Sequence, residues 1–172
     1  MKKLMMIAAM MVAAISVNAQ NEVGQITLKP LVGINLADVT DAPGADMRVG
    51  LAAGVEAEYG VAEKFSLSAG AIYSMQGVKH GKLDYINIPL LANYYVIPGL
   101  AIKAGVQPAF NVTSEEGANS KSFDLSIPVG ASYEFSNFVL DARYNFGVTK
   151  IWDAVDCKNS VIQITLGYKF SL

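Results

Sequence analysis

The 172-residue chain holds one histidine, His80, and one cysteine, Cys157. Nucleophilic hydrolysis of the Ser–His kind needs an imidazole within hydrogen-bond reach of a serine. A structural zinc site needs about four nitrogen or sulfur ligands. His80 stands between Lys79 and Gly81 in a polar stretch, with Ser74 and Asp84 as the nearest partners in sequence. That setting describes a solvated loop histidine and not a positioned base. Cys157 has no second cysteine to pair with, so the chain has no internal disulfide. The sequence therefore predicts no catalytic residue, no metal and no cofactor.

Charged side chains are the remaining candidates. Lys29, Arg48, Lys103, Arg143 and Lys169 fall on the same phase of a two-residue alternation as Glu56, Glu58, Asp124, Glu134 and Asp141. Five cations against five anions form a balanced set. An unpaired buried charge costs several kcal/mol or more, so inside a narrow interior these groups are expected to pair into a neutral network. An ion path or an acid–base pair is the functional alternative. Asp141 and Arg143, two residues apart on one face, are the natural anchor. Elsewhere, Ile151 and Trp152 are apolar residues in the same polar segment as Cys157; they read as a cap on the fold or as loop contacts with a partner.

The elements that must position these residues follow from hydropathy. Met1-Lys2-Lys3 precedes an apolar run from Leu4 to Val17, and Val17-Asn18-Ala19 offers a cleavage site before Gln20. A run of about 14 residues is too short to span a bilayer as a helix, so residues 1–19 read as an export signal and residues 20–172 as the mature domain. Hydrophobic residues make up 52% of the chain and charged ones 16%. Disordered chains show the opposite balance. With a net charge of −2 there is no basic field to attract nucleic acid.

From residue 25 onward the chain alternates with period two in eight segments. Met47, Val49, Leu51, Ala53, Val55, Ala57 and Tyr59 share one face, and Arg48, Gly50, Ala52, Gly54, Glu56 and Glu58 the other. Similar patterns cover 26–36, 65–76, 85–96, 100–111, 123–135, 138–148 and 162–170, with Leu31 the exception on its polar face. Connections alternate as well. Those at 60–64, 97–99 and 136–137 are short, whereas those at 37–46, 77–82, 113–120 and 150–158 are longer and polar. Even strand number, length of about ten and alternating loop length are the marks of an eight-stranded antiparallel transmembrane up-and-down β-barrel with both ends periplasmic.

A soluble lipocalin-like barrel would point the apolar face inward. Here the apolar face is free of charge on every segment, and the polar face is Gly, Ser, Ala and Asn with few charges. Small residues suit a filled eight-stranded interior, which also argues against an open pore. Tyr59, Phe65, Phe135, Phe138, Tyr168 and Phe170 mark the short-turn end, and Phe110, Phe123 and Phe146 the other. Two aromatic belts are expected where a barrel crosses two membrane interfaces.

The segment Tyr85-Ile86-Asn87-Ile88-Pro89-Leu90-Leu91-Ala92-Asn93-Tyr94-Tyr95 resembles the PorT-like outer-membrane β-barrel family of Bacteroidetes, with Asn87 where that family often has an acidic residue. Val32-Gly33-Ile34-Asn35, the stretch from Arg48 to Val55, and Arg143-Tyr144-Asn145-Phe146-Gly147 are similar too. The resemblance implies an integral outer-membrane protein, and its family name comes from a member linked to protein export. The reading that follows is a non-enzymatic barrel surrounded by outer-membrane lipid. Its role would be structural or interaction-based, through the long loops, with envelope or secretion proteins as partners. A lipid-modifying enzyme, a narrow solute channel and a soluble lipocalin-like binder are the alternatives.

Overall fold

The computed structural model describes residues 23–39, 48–78, 81–114, 123–149 and 159–172. Its strands are β1 (Ile26–Val39), β2 (Arg48–Ala62), β3 (Phe65–Val78), β4 (Gly81–Asn87), β5 (Leu90–Ile97), β6 (Leu100–Ser114), β7 (Phe123–Phe135), β8 (Phe138–Gly147), β9 (Asn159–Tyr168) and β10 (Phe170–Ser171). All pairings are antiparallel between chain neighbours, and the sheet closes where β1 meets β9 and β10. β4 and β5 form one stave, as do β9 and β10, so the wall is a closed barrel of eight staves.

Alternation sends every second side chain outward. Val32, Val49, Leu67, Ile102, Val129, Leu140 and Leu166 are exposed on the outer wall, while Ser68, Asn93, Ser132 and Thr165 are buried inside. An apolar exterior around a polar lumen excludes the lipocalin-like alternative, because only a lipid surround favours it. The aromatic belts stand at both ends. Phe138 packs edge-on against Tyr168 at 5.3 Å, with Phe170 beyond, and Phe110 meets Phe123 at 5.7 Å. Phe123 and Phe135 bracket the 13 residues of β7. At about 3.3 Å per residue and a tilt of about 40°, such a strand covers roughly 30 Å of height, enough for the apolar band of an outer membrane.

The short turns follow their residues. Pro98 presets its own φ, and Gly99 takes the positive φ of 83° that the next turn position needs. Ser136 accepts a φ of 56° to close the β7–β8 hairpin.

Two expectations need correction. The expected loop at 77–82 is mostly ladder: Gly77 pairs with Lys82 and Val78 with Gly81. β1 and β6 likewise run on to Val39 and Ser114. Hydropathy marks the length of strand in lipid, whereas backbone pairing continues beyond it at no burial cost. The stave expected as one strand over 85–96 is split at Ile88-Pro89, since proline has no N–H for the ladder. The seam holds because Gly70 N donates to the Pro89 carbonyl at 3.0 Å and Ile88 N to that of Pro108 at 2.8 Å. Leu31, the apolar exception on the polar phase, keeps to that phase. It sits in the lumen with Ala52 and Ile72 as an apolar wedge.

Candidate functional site

Among the described residues, the lumen gathers a cluster of buried charged side chains. β1 and β2 pair Lys29 with Glu56 in direct register, and β7 pairs Gly130 with Arg143 of β8. Glycine is needed there. A Cβ on Gly130 would meet the Ala142 carbonyl oxygen at 2.3 Å and the Arg143 Cβ at 2.7 Å. At Gly167 the stem of Lys29 lies over the backbone, with its Cγ 2.9 Å from where a Cβ would stand. Bare backbone thus flanks the stems of Arg143 and Lys29.

Glu56 is the hub. Its Oε1 accepts from Lys29 Nζ at 2.8 Å and Lys103 Nζ at 3.2 Å, and its Oε2 from Arg143 Nη2 at 3.0 Å. Asp141 closes the circuit, accepting from Lys103 Nζ at 2.7 Å through Oδ2 and from Arg143 Nε at 2.7 Å through Oδ1. These five side chains are at most 4% exposed. Four staves supply them, so the cluster bars the lumen from wall to wall.

A second group lies toward the short turns. Lys169 Nζ donates to Glu134 Oε2 at 3.0 Å. The Tyr95 hydroxyl lies 2.6 Å from Glu58 Oε1 and 2.7 Å from Glu134 Oε1, while Ser66 donates to Glu58 Oε1 at 2.6 Å and accepts from Asn93. Lys29 Nζ stands 3.7 Å from Glu58 Oε2 and links the two groups. Asp124 is separate. It is buried toward the long-loop end, where the Thr149 hydroxyl donates to it.

The ten charges therefore do not form one set. Lys29, Glu56, Lys103, Asp141 and Arg143 meet in the central cluster; Glu58, Glu134 and Lys169 sit below it; Asp124 stands apart. Arg48 opens β2 opposite Ala37, and its side chain lies outside the described part of the structure. His80, Ile151, Trp152 and Cys157 also lie outside the described residues. Tyr95, Ser66 and Asn93 were missed as members of the site. Their place on the polar phase of the alternation was the available signal. Among the described residues no group of three or more His, Cys, Asp and Glu side chains is arranged to hold a metal ion.

A family model described as an outer membrane protein beta-barrel domain matches residues 18–153. The chain belongs to that family. No curated protein matches the sequence. Among solved structures, the barrel is similar to Ail, the attachment invasion locus protein of Yersinia pestis, with a TM-score of 0.57 and 18% identity over 87% of this chain and 100% of that one. Neisserial surface protein A gives a TM-score of 0.56 and 14% identity over 91% and 99% of the two chains. OprG of Pseudomonas aeruginosa gives 0.50 and 15% over 88% and 98%. At such identities the likeness is one of fold. This is an outer-membrane barrel protein.

Proposed function

We propose that this outer-membrane barrel is non-enzymatic and non-conducting, and that it acts through its long loops on other envelope components. The observation that carries this reading is the Glu56 cluster. Three cations and two carboxylates cross the lumen with almost no exposure, so a passing solute would have to break several buried ion pairs at once. With transport opposed and no catalytic constellation among the described residues, the surfaces left are the lipid-facing wall and the loop end. The PorT-like resemblance supports envelope or secretion proteins as the partners, and Ile151, Trp152 and Cys157 are the proposed contacts.

Two measurements test the reading together. Folded protein in planar bilayers should show no conductance steps; regular steps would overturn the closed lumen. In-cell crosslinking from the 150–158 segment, followed by outer-membrane fractionation, should recover a reproducible set of envelope proteins. Recovery of the barrel alone would overturn the interaction role.

A further inference from the structure

The closing seam is interrupted near the short-turn end. β1 pairs with β9 down to Leu31 and Gly167, then with β10 at Leu28 and Phe170 and at Thr27 and Ser171. Between those stretches the ladder skips Pro30 and Lys29, opposite Tyr168 and Lys169, because proline has no N–H to give. On the other side of the same stave, the β8–β9 ladder ends where Phe138 meets Tyr168. The last four residues, Lys169 to Leu172, therefore lie past the end of one ladder and across a gap in the other. Toward β1 they have the two β10 pairs and a bond from Leu172 N to the Ile26 carbonyl at 3.0 Å.

The β7–β8 turn takes over at Lys169. Phe135 pairs with Phe138, so the turn consists of Ser136 and Asn137. The Lys169 N–H donates to the Asn137 carbonyl at 2.7 Å, and Asn137 Nδ2 donates to the Lys169 carbonyl at 3.1 Å. A carbonyl only accepts, so the nitrogen of the Asn137 amide is the atom that must face it. Together the two bonds reproduce a ladder pair, one from main chain and one from side chain. Inside the wall, Lys169 Nζ donates to Glu134 Oε2 at 3.0 Å, so the same hairpin grips this residue three times. Ser136 holds a φ of 56°, the one positive φ among the described non-glycine residues. Such a conformation persists where its surroundings fix it, and the bonds from Asn137 to Lys169 fix this turn against the last stave. We propose that Asn137 is a clasp on the closing seam. It holds Lys169 where the seam lacks pairing at Pro30, and the segment from Lys169 to Leu172 opens as one unit when it lets go.

The test is amide hydrogen–deuterium exchange, read residue by residue, on the full-length mature chain folded in lipid nanodiscs. In the wild type the Lys169 amide should be as protected as the amides inside β9; an unprotected Lys169 amide would overturn the clasp. Asn137→Ala removes the side-chain bond. It should speed exchange at Lys169 and Leu172 together, by roughly 2–12-fold for the loss of one hydrogen bond, while β5 across the barrel keeps its wild-type rates. Acceleration at Lys169 with Leu172 unchanged would overturn the single opening unit. Equal acceleration in β5 would overturn the inference too, by showing lost global stability in place of local opening. Unchanged rates at both residues would mean that β1 alone holds the tail. Should Asn137→Ala fail to fold, the wild-type protection of Lys169 decides alone.

Discussion

Replacing Glu56 with glutamine keeps the shape of the hub and removes its charge. Lys29, Lys103 and Arg143 would then face Asp141 as their only full partner in the central cluster, with Glu58 at 3.7 Å from Lys29. Breaking a buried pair by deleting one member costs about 3–5 kcal/mol, because the survivors stay desolvated. A solvated pair would cost about 0–1 kcal/mol. With a urea dependence of about 2 kcal/mol per molar, the larger figure moves the unfolding midpoint down by roughly 1.5–2.5 M. The assay is reversible urea unfolding of Glu56→Gln in detergent or lipid, followed by circular dichroism. Adding Lys103→Met should restore part of the loss, with a coupling energy of roughly 0.5–3 kcal/mol for side chains in contact. A midpoint shift under about 0.5 M in the single variant would refute the reasoning, since it would mean that water already screens the cluster.

Other perturbations probe the wall. Gly130→Ala should cost about 1–3 kcal/mol in the same unfolding assay, because its Cβ collides with backbone at Ala142 and Arg143. Gly167→Ala should cost less, since the nearest atom belongs to the flexible Lys29 stem. Val129→Arg, on the outer wall near the middle of β7, should destabilise by about 2–4 kcal/mol, and Phe135→Arg at the interface by about 0–1. Equal costs at the two depths would mean that lipid does not surround this face. Ser136→Gly should be stabilising by up to about 1 kcal/mol, measured as a higher urea midpoint, because it relieves a positive φ.

The alternation exposed most of this architecture because lipid and lumen impose opposite chemistries on successive residues. Stave number, the outward face and both aromatic belts were legible for that reason. Strand ends were not, since pairing at Val78–Gly81 and out to Ser114 continues where hydropathy has stopped varying. The lumen was half legible. Charge parity marked the ionic residues, but parity is blind to height along the barrel. It therefore merged Asp124 with groups several residues deeper. Leu31 and Ile72 broke the polar phase, and nothing in a period of two distinguishes an inward leucine from a register slip.

The hub also bears on how the barrel forms. On the β1–β2 hairpin Glu56 pairs with Lys29, whereas Lys103 of β6 and Arg143 of β8 share Asp141. Glu56 reaches Lys103 across 47 residues of sequence and Arg143 across 87. An open sheet therefore keeps Glu56 apart from two of the three cations that it holds in the closed barrel, Lys103 and Arg143. Their mutual attraction grows as the sheet curls and is satisfied only once the last seam between β1 and β9 has zipped. The cluster thus acts as a latch that rewards completion, making a half-curled intermediate unstable and barrel assembly close to all-or-none.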